Sequence, residues 1–296
     1  MSTWLITGAG NGLGRTIAEV VLGAGHQVVA TARKPSQLDS LVETFGRAIA
    51  VAELDVTDEE ACAAAIEFSA TTFGSIDVVV NNAGFGDVRP FEQTPSEDFR
   101  NLVETCFYGV VNMTRHVLPL MRAQRSGHIF QISSIGGRVA FAGNASYHAA
   151  KWAVGGFSEA VAQAAAPFGV VVTAIEPGGM RTGFGATATR EQVDLLEEYE
   201  PSVGHVMKML DQNWGRESGD PVKVAKVLLA LAEAPGLPAH IVLGRVGLET
   251  VRAVETERAR VRDLWQPVGD WIDFEADGAL PALPDWQLPG TPKWVD

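Results

Sequence analysis

Seven short runs of the chain are mostly apolar, and longer stretches of helical character separate them. The runs are Thr3–Thr7, Gln27–Ala32, Ala48–Leu54, Ile76–Val80, His128–Ser133, Val170–Ile175 and His240–Leu243. The first six are rich in Val and Ile and apolar at nearly every position. That pattern belongs to strands buried on both faces rather than to strands with one wet side. Gly12–Gly23, Asp58–Phe73, Ser96–Ala123 and Ala145–Ala166 read as the intervening helices. Repeated βα units predict an α/β fold, a doubly wound parallel sheet of about seven strands with helices on both faces. One domain over residues 1–275 accommodates it.

Two segments break the rhythm. Residues 178–219 carry glycines, then an acidic stretch read as a helix (Glu191–Glu200), then Met207, Met209, Leu210 and Trp214. They follow the sixth strand. Ligands of open α/β sheets bind beyond the carboxyl ends of strands, so this stretch reads as a substrate lid, with ordinary packing helices as the alternative. Residues 276–296 form a Pro/Trp-rich tail with Pro281, Pro284, Pro289, Pro292, Trp286 and Trp294. Its prolines deny it regular helix, and its tryptophans suit docking on a surface.

Composition narrows the functions. The chain has 296 residues, 46% hydrophobic and 20% charged, which fits a folded globule rather than a disordered chain. Its formal net charge is −13, so nucleic acid and anionic membrane surfaces are expected non-partners. A small anionic cofactor is compatible, because a helix N-terminus and one or two arginines can hold it. Cys62 and Cys106 are too few for a disulfide framework, no Cys/His cluster has metal-ligand spacing, and no apolar run reaches a membrane span. A cytoplasmic location is the expectation.

The first strand ends in Thr7-Gly8-Ala9-Gly10-Asn11-Gly12-Leu13-Gly14 and a helix comes next. Glycines there permit a tight turn and a close approach of backbone to a pyrophosphate, and the helix N-terminus supplies free N–H groups and positive potential. The spacing is TGxxxGxG; counted as GxGxxG from Gly8, the third glycine would fall on Leu13. In this spacing the chain resembles the short-chain dehydrogenase/reductase family, in its compact single-domain branch with a Rossmann-like sheet, over roughly residues 3–275. Further motifs in the same order support the resemblance: Asp55-Val56 after the third strand, Asn81-Asn82-Ala83-Gly84 after the fourth, Ser134 with Tyr147-x-x-x-Lys151, and Pro177-Gly178-x-x-x-Thr182.

The resemblance implies a cofactor site of Gly8, Asn11, Gly12, Leu13, Gly14, Asp55, Val56, Asn82, Ala83, Gly84, Pro177, Gly178, Met180 and Thr182, shared with Tyr147 and Lys151. Ser134, Tyr147 and Lys151 are its implied catalytic set. Their chemistry is legible from the residues themselves. Tyr147 and Lys151 are four apart and share a helix face. A free tyrosine, with a pKa near ~10, exchanges protons poorly at neutral pH, and a nearby ammonium is expected to lower that value. Ser134 can hydrogen-bond the substrate oxygen on which charge develops.

The second strand ends Thr31-Ala32-Arg33-Lys34. NAD enzymes place a carboxylate there for the ribose 2′-hydroxyl. An arginine pairs instead with a 2′-phosphate, so NADP(H) is expected in preference to NAD(H). One departure stands out: Cys106 occupies the position where the family usually has an Asn that organises a proton path. A thiol is a weak donor and acceptor, and its expected role is packing. His148, beside Tyr147, faces elsewhere on the helix. Phe85, Phe141, Phe184, Tyr199, Met207 and Trp214 are candidates for an apolar pocket, with plain core as the alternative. The resulting expectation is an NADP(H)-dependent carbonyl reductase or alcohol dehydrogenase acting on a bulky hydrophobic ketone or secondary alcohol, such as an aryl ketone, steroid or acyl chain, as a homodimer or homotetramer without a metal. A non-catalytic dinucleotide-binding sensor or scaffold is the rival that Cys106 would favour. An epimerase or dehydratase is disfavoured by the glycine spacing.

Overall fold

The apolar runs pair edge to edge. In the computed structural model, which describes residues 1–184, 194–274 and 278–285, the strands are β1 (Thr3–Ile6), β2 (Gln27–Ala32), β3 (Ile49–Glu53), β4 (Val78–Asn81), β5 (Gly127–Ile132), β6 (Val170–Pro177) and β7 (His240–Leu243). They form a parallel sheet in the order β3-β2-β1-β4-β5-β6-β7. The order reverses between β1 and β4, and open sheets of this kind bind ligands beyond the strands' carboxyl ends at such a reversal.

Helices cover both faces, as the two-sided burial of the strands requires. On one face α1 (Gly12–Gly23), α2 (Asp39–Phe45) and α8 (Pro221–Leu231) enclose a core of Trp4, Ile6, Ile17, Val28, Phe130 and Leu228. On the other, α3 (Glu59–Phe73), α5 (Gly109–Gln124) and α6 (Ala145–Ala165) enclose Leu5, Val29, Ile66, Val79, Met113 and Ile129. Asp58 caps α3 by accepting from Ala61 N at 3.0 Å, and Asp220 caps α8 by accepting from Val222 N at 2.8 Å. α7 (His205–Asn213) and α9 (Arg245–Asp270) are further helices among the described residues. No helix among these residues is long and apolar enough to cross a membrane.

Two expectations about helices need correction. The stretch read as one helix from Ser96 to Ala123 is α4 (Ser96–Val103), a π-helical turn over Glu104–Tyr108, and then α5. A π turn takes an extra residue into one turn and re-aims the helix beyond it. Here it brings Gly109 against the loop after β3, where an added Cβ would stand 2.5 Å from Val56 Cγ2. The acidic helix expected over Glu191–Glu200 is absent from its described part. Glu197–Tyr199 is a single 3₁₀ turn, and Glu200–Gly204 is π-helical. The Gln93 side chain grips the backbone just upstream, donating to Asp194 O at 2.8 Å and accepting from Leu196 N at 3.4 Å, so those groups are not free for a helix. Residues 191–193 lie outside the described residues, as do Ala276, Asp277 and 286–296 of the tail, with Trp286 and Trp294.

Candidate active site

The glycine segment is built as a cradle. Gly8 and Gly12 have φ of +64° and +55°, a region that side chains with a Cβ rarely adopt. A Cβ on Gly14 would stand 2.4 Å from Asn82 Nδ2 and 2.5 Å from Gly8 O, so the turn closes only with glycine there. Asn11 precedes α1 in an extended conformation and no side chain caps the helix, which leaves its first N–H groups for a ligand. These features fit a dinucleotide pyrophosphate.

The other sequence-picked segments converge on this cradle. Asn82 Nδ2 donates to Thr7 O at 3.0 Å and Gly8 O at 3.2 Å, while Thr7 Oγ1 accepts from Asn82 N at 2.9 Å and Ala83 N at 3.0 Å. Thr7 therefore clamps the two loops together, a task that its place at the head of the glycine motif could have signalled. A Cβ on Gly12 would stand 4.0 Å from Thr182 Cβ, so the loop after β6 meets the glycine turn. That loop is held by Gly178 N donating to Leu243 O at 3.0 Å and by the parallel bridge of Met180 to Gly219. Pro177 ends β6 in register with Leu243. Leu13 is buried under the turn.

At the end of β2, Ala32 is buried and Arg33 and Lys34 are exposed. Neither cation has an ion pair or hydrogen bond among the described residues. A Cβ on Gly10 would stand 3.4 Å from Ala32 Cβ, which puts the end of β2 beside the glycine loop. Asp55 is occupied locally: Oδ1 accepts from Thr57 N at 3.0 Å and Thr57 Oγ1 at 2.8 Å. Val56 is buried, and its carbonyl accepts from Asn112 Nδ2 at 3.0 Å.

Ser134, Tyr147 and Lys151 come together at the carboxyl edge of β5. The Ser134 side chain faces the Tyr147 hydroxyl, and Ser134 Oγ accepts from Gly136 N at 3.0 Å. Lys151 Nζ lies 5.7 Å from the centre of the Tyr147 ring and donates to Ile132 O at 2.7 Å. Gly137 lets the serine turn close on α6, because a Cβ there would stand 2.7 Å from Lys151 O. The electrostatics run opposite to expectation. Burial pushes the Tyr147 hydroxyl above the usual phenol range, with the facing Ser134 side chain opposing it. Burial pulls the Lys151 ammonium down. Desolvation disfavours whichever form is charged, and here it outweighs the mutual attraction.

Cys106 is fully buried inside the π turn and exchanges hydrogen bonds with the backbone of Phe85. His148 has a scaffold role. Its Nε2 accepts from Phe141 N at 2.9 Å, which leaves Nδ1 to donate to Gly136 O at 2.8 Å, and burial pulls its pKa below the usual histidine value. Of the pocket candidates, Phe184 sits with its ring centre 5.6 Å from that of Tyr147, and Phe85 packs beside Tyr147 and Cys106. Phe141 packs with Val139 and Val251, and Met207 with Val88 and Val206. Tyr199 donates to Glu92 at 2.7 Å, and Trp214 is exposed. Among the described residues no cluster of His, Cys, Asp and Glu could hold a metal ion.

Comparison with known proteins places this site in a family. The sequence profile described as short chain dehydrogenase matches residues 2–193. "Oxidoreductase BOA17" of Botryotinia fuckeliana is 43% identical over 83% of this chain and 90% of its own. A solved short-chain dehydrogenase from Streptomyces avermitilis superposes with a TM-score of 0.85 at 35% identity, covering 92% of this chain and 99% of that one. A serine dehydrogenase solved in closed form with NADP+ superposes with a TM-score of 0.72 at 28% identity, over 82% and 95% of the two chains. The chain belongs to the short-chain dehydrogenase/reductase family. It is an oxidoreductase of the class that works on CH–OH and C=O groups with a nicotinamide dinucleotide. Members act on small-molecule substrates and commonly form oligomers.

Proposed function

We propose that the protein is an NADP(H)-dependent carbonyl reductase or alcohol dehydrogenase for a hydrophobic ketone or secondary alcohol. The observation that carries the proposal is the meeting of Ser134, Tyr147 and Lys151 beside the glycine cradle. The nicotinamide, when bound, supplies or accepts the hydride at carbon. Tyr147 transfers the proton at the substrate oxygen, and Ser134 donates a hydrogen bond to the same oxygen as charge develops there. Tyr147 is the group that gives this proton to the carbonyl oxygen as the ketone is reduced. Lys151, held by the Ile132 carbonyl, keeps a cation beside Tyr147 and within reach of ribose hydroxyls. Gly8, Asn11, Gly12, Leu13 and Gly14 take the pyrophosphate. Asp55 and Val56 lie toward the adenine, and Asn82, Ala83, Gly84, Pro177, Gly178, Met180 and Thr182 line the remaining cofactor surface.

NADP(H) is favoured by Arg33, an unpaired exposed cation where an NAD site would have a carboxylate. The NADP+-bound neighbour supports this choice. Phe85 and Phe184 beside Tyr147 support an apolar substrate. Residues 1–275 act as one domain in this reading, with residues 276–296 as an appendage, in a homodimer or homotetramer working in the cytoplasm. The test is Tyr147→Phe. Ketone reduction followed by NADPH absorbance should fall at least a hundredfold, the typical span of general acid catalysis being ~10²–10⁴. NADPH binding should persist. A sensor or scaffold would show no ketone turnover in the wild type at all.

A further inference from the structure

Glu176, next to last in β6, carries a carboxyl group and has no exposed surface. A buried carboxylate is costly unless cations and donors face it. Two side chains do. His240, which opens β7, presents Nδ1 to Glu176 Oε1 at 2.8 Å. Arg138 presents Nη1 to Glu176 Oε2 at 4.0 Å, and that oxygen has no hydrogen-bond partner. The groups around this pair are charged too. Glu159 on α6 faces His240 Nε2 at 3.6 Å. Glu255 on α9 pairs with Arg138 Nη2. Arg258, also on α9, donates to Arg138 O at 2.6 Å while its guanidinium lies over the Trp152 ring.

Arg138 ends the turn that begins at Ser134. Gly136 N donates to Ser134 Oγ at 3.0 Å, Gly137 N to Ser134 O at 2.9 Å, and Arg138 N to Ile135 O at 2.8 Å. The turn thus runs from the serine hydroxyl to a guanidinium that faces a buried carboxylate at 4.0 Å on one side and pairs with Glu255 of α9 on the other. Volume alone would not call for this arrangement. An apolar residue would fill the place of Glu176 at lower desolvation cost. The carboxylate accepts a hydrogen bond from His240 on β7 and turns its other oxygen toward the Arg138 guanidinium 4.0 Å away.

We propose that Glu176 and Arg138 are positioning residues for Ser134, the buried carboxylate anchoring the guanidinium that fixes the serine turn. The proposal rests on the role given to Ser134 above. Glu176→Gln removes the charge and keeps the shape. An amide can keep its oxygen for His240, but it then turns an uncharged NH₂ toward the Arg138 guanidinium, and the attraction is lost.

The test has two readouts on the full chain. Hydrogen exchange comes first. In Glu176→Gln and in Arg138→Gln the amides of residues 136–139 should exchange on the order of fivefold faster, with those of α1 unchanged, as expected of a local opening. Kinetics come second, with NADPH and whichever of cyclohexanone, acetophenone or 2-decanone is turned over fastest. Glu176→Gln should lower kcat on the order of tenfold with little change in KM, the scale of a slightly misplaced catalytic group. In a Ser134→Ala background it should cost less than about twofold more, because the group it positions is gone. Unchanged exchange at residues 136–139 overturns the proposal whatever the kinetics. So does a full additive loss in the double variant, which would make Glu176 a general stabiliser. If Glu176→Gln fails to fold, Arg138→Gln, at a partly exposed position, carries both readouts. A wild-type rate in Ser134→Ala would count against the serine's assigned role, and the exchange result would then decide the anchoring on its own.

Discussion

Cys106 Sγ donates to the Phe85 carbonyl at 3.3 Å and accepts from the Phe85 N–H at 3.4 Å. One thiol therefore satisfies both backbone groups of the residue directly after Asn82-Ala83-Gly84. A Cβ on Gly84 would stand 3.1 Å from that sulfur and 3.8 Å from Lys151 Nζ, so the thiol, the loop and the ammonium are close neighbours. A single small thiol thus fastens this loop to the π turn. Lys151 is held by the Ile132 carbonyl.

From this arrangement Cys106 is expected to act by packing and fastening rather than by proton transfer. Cys106→Ala should keep kcat within about tenfold, equivalent to ~1.4 kcal/mol of barrier. Cys106→Asn must fit a larger group into a fully buried site, and overpacking of this kind costs about 1–3 kcal/mol. Thermal melts and steady-state rates of the two variants check both statements. A hundredfold loss in a folded, NADPH-binding Ala variant would give the sulfur a chemical task.

The strands were the most legible part of the fold. Gln27–Ala32 and His240–Leu243 are strands over the same residues in sequence and structure, and the other five differ only at their ends. Burial on both faces writes itself into every position of a strand, which is why the pattern reads so directly. Most motif segments follow the carboxyl end of a strand, and Tyr147 and Lys151 join them from α6. The π turn over Glu104–Tyr108 was hidden because the run of apolar and polar positions continues through it, and what lies against it, Val56 beside Gly109, is far away in sequence. Glu176 is a lone acid in the run Val170–Pro177, a signal without meaning until its partners His240 and Arg138, far away in sequence, are brought to it. The long helix after β7 is likewise not announced by the pattern of apolar positions. α9 buries only part of its length, on Val251 and Val254, and much of the rest is exposed, so its apolar stripe is short.

Cofactor choice is expected to rest on Arg33. Replacing it by Ala should weaken NADPH binding by about 1.5–3 kcal/mol, the range for a hydrogen bond to a charged group. NADH binding should be almost unaffected. Fluorescence titration of both cofactors decides the matter. Equal weakening of the two, or a wild type that prefers NADH, would move the 2′-phosphate contact elsewhere.

Acid should loosen the serine turn through His148. Its folded pKa lies below the unfolded one, because burial disfavours the cation. Neutral His148 thus contributes stability that is complete above the unfolded value near ~6.5 and is lost as pH falls toward and through the folded value. Protonation also removes the acceptor that holds Phe141 N. His128, likewise lowered by burial, adds to the same slope. His240 has the opposite sign. Its hydrogen bond to Glu176 raises its pKa, so its contribution is complete below the unfolded value and is lost as pH rises through the folded one. Melting temperatures from pH 5 to 8 should therefore decline on the acid side, and His148→Gln should flatten that decline in part. An unchanged acid slope in the variant would remove His148 from the account.

The glycine cradle gives a matched pair of variants on one helix. Gly14 lies in the first turn of α1 against the loop after β4, and an added Cβ meets Asn82 Nδ2 at 2.4 Å and Gly8 O at 2.5 Å. The carbonyl belongs to the backbone and cannot swing away, so Gly14→Ala must push the glycine turn off Asn82. Overpacking at such a contact costs about 1–3 kcal/mol. The displaced turn should also bind NADPH at least about tenfold more weakly, since the cofactor depends on close approach of that backbone. Gly23 ends the same helix with nothing within 4 Å of its added Cβ. Gly23→Ala makes the same chemical change without the contact and should leave NADPH affinity at the wild-type value, with a melting temperature equal or slightly higher. The two variants together separate the effect of a methyl group on α1 from the effect of filling the cradle. If they bind NADPH equally well, the close approach of Gly14 to Gly8 and Asn82 does not shape the cofactor site.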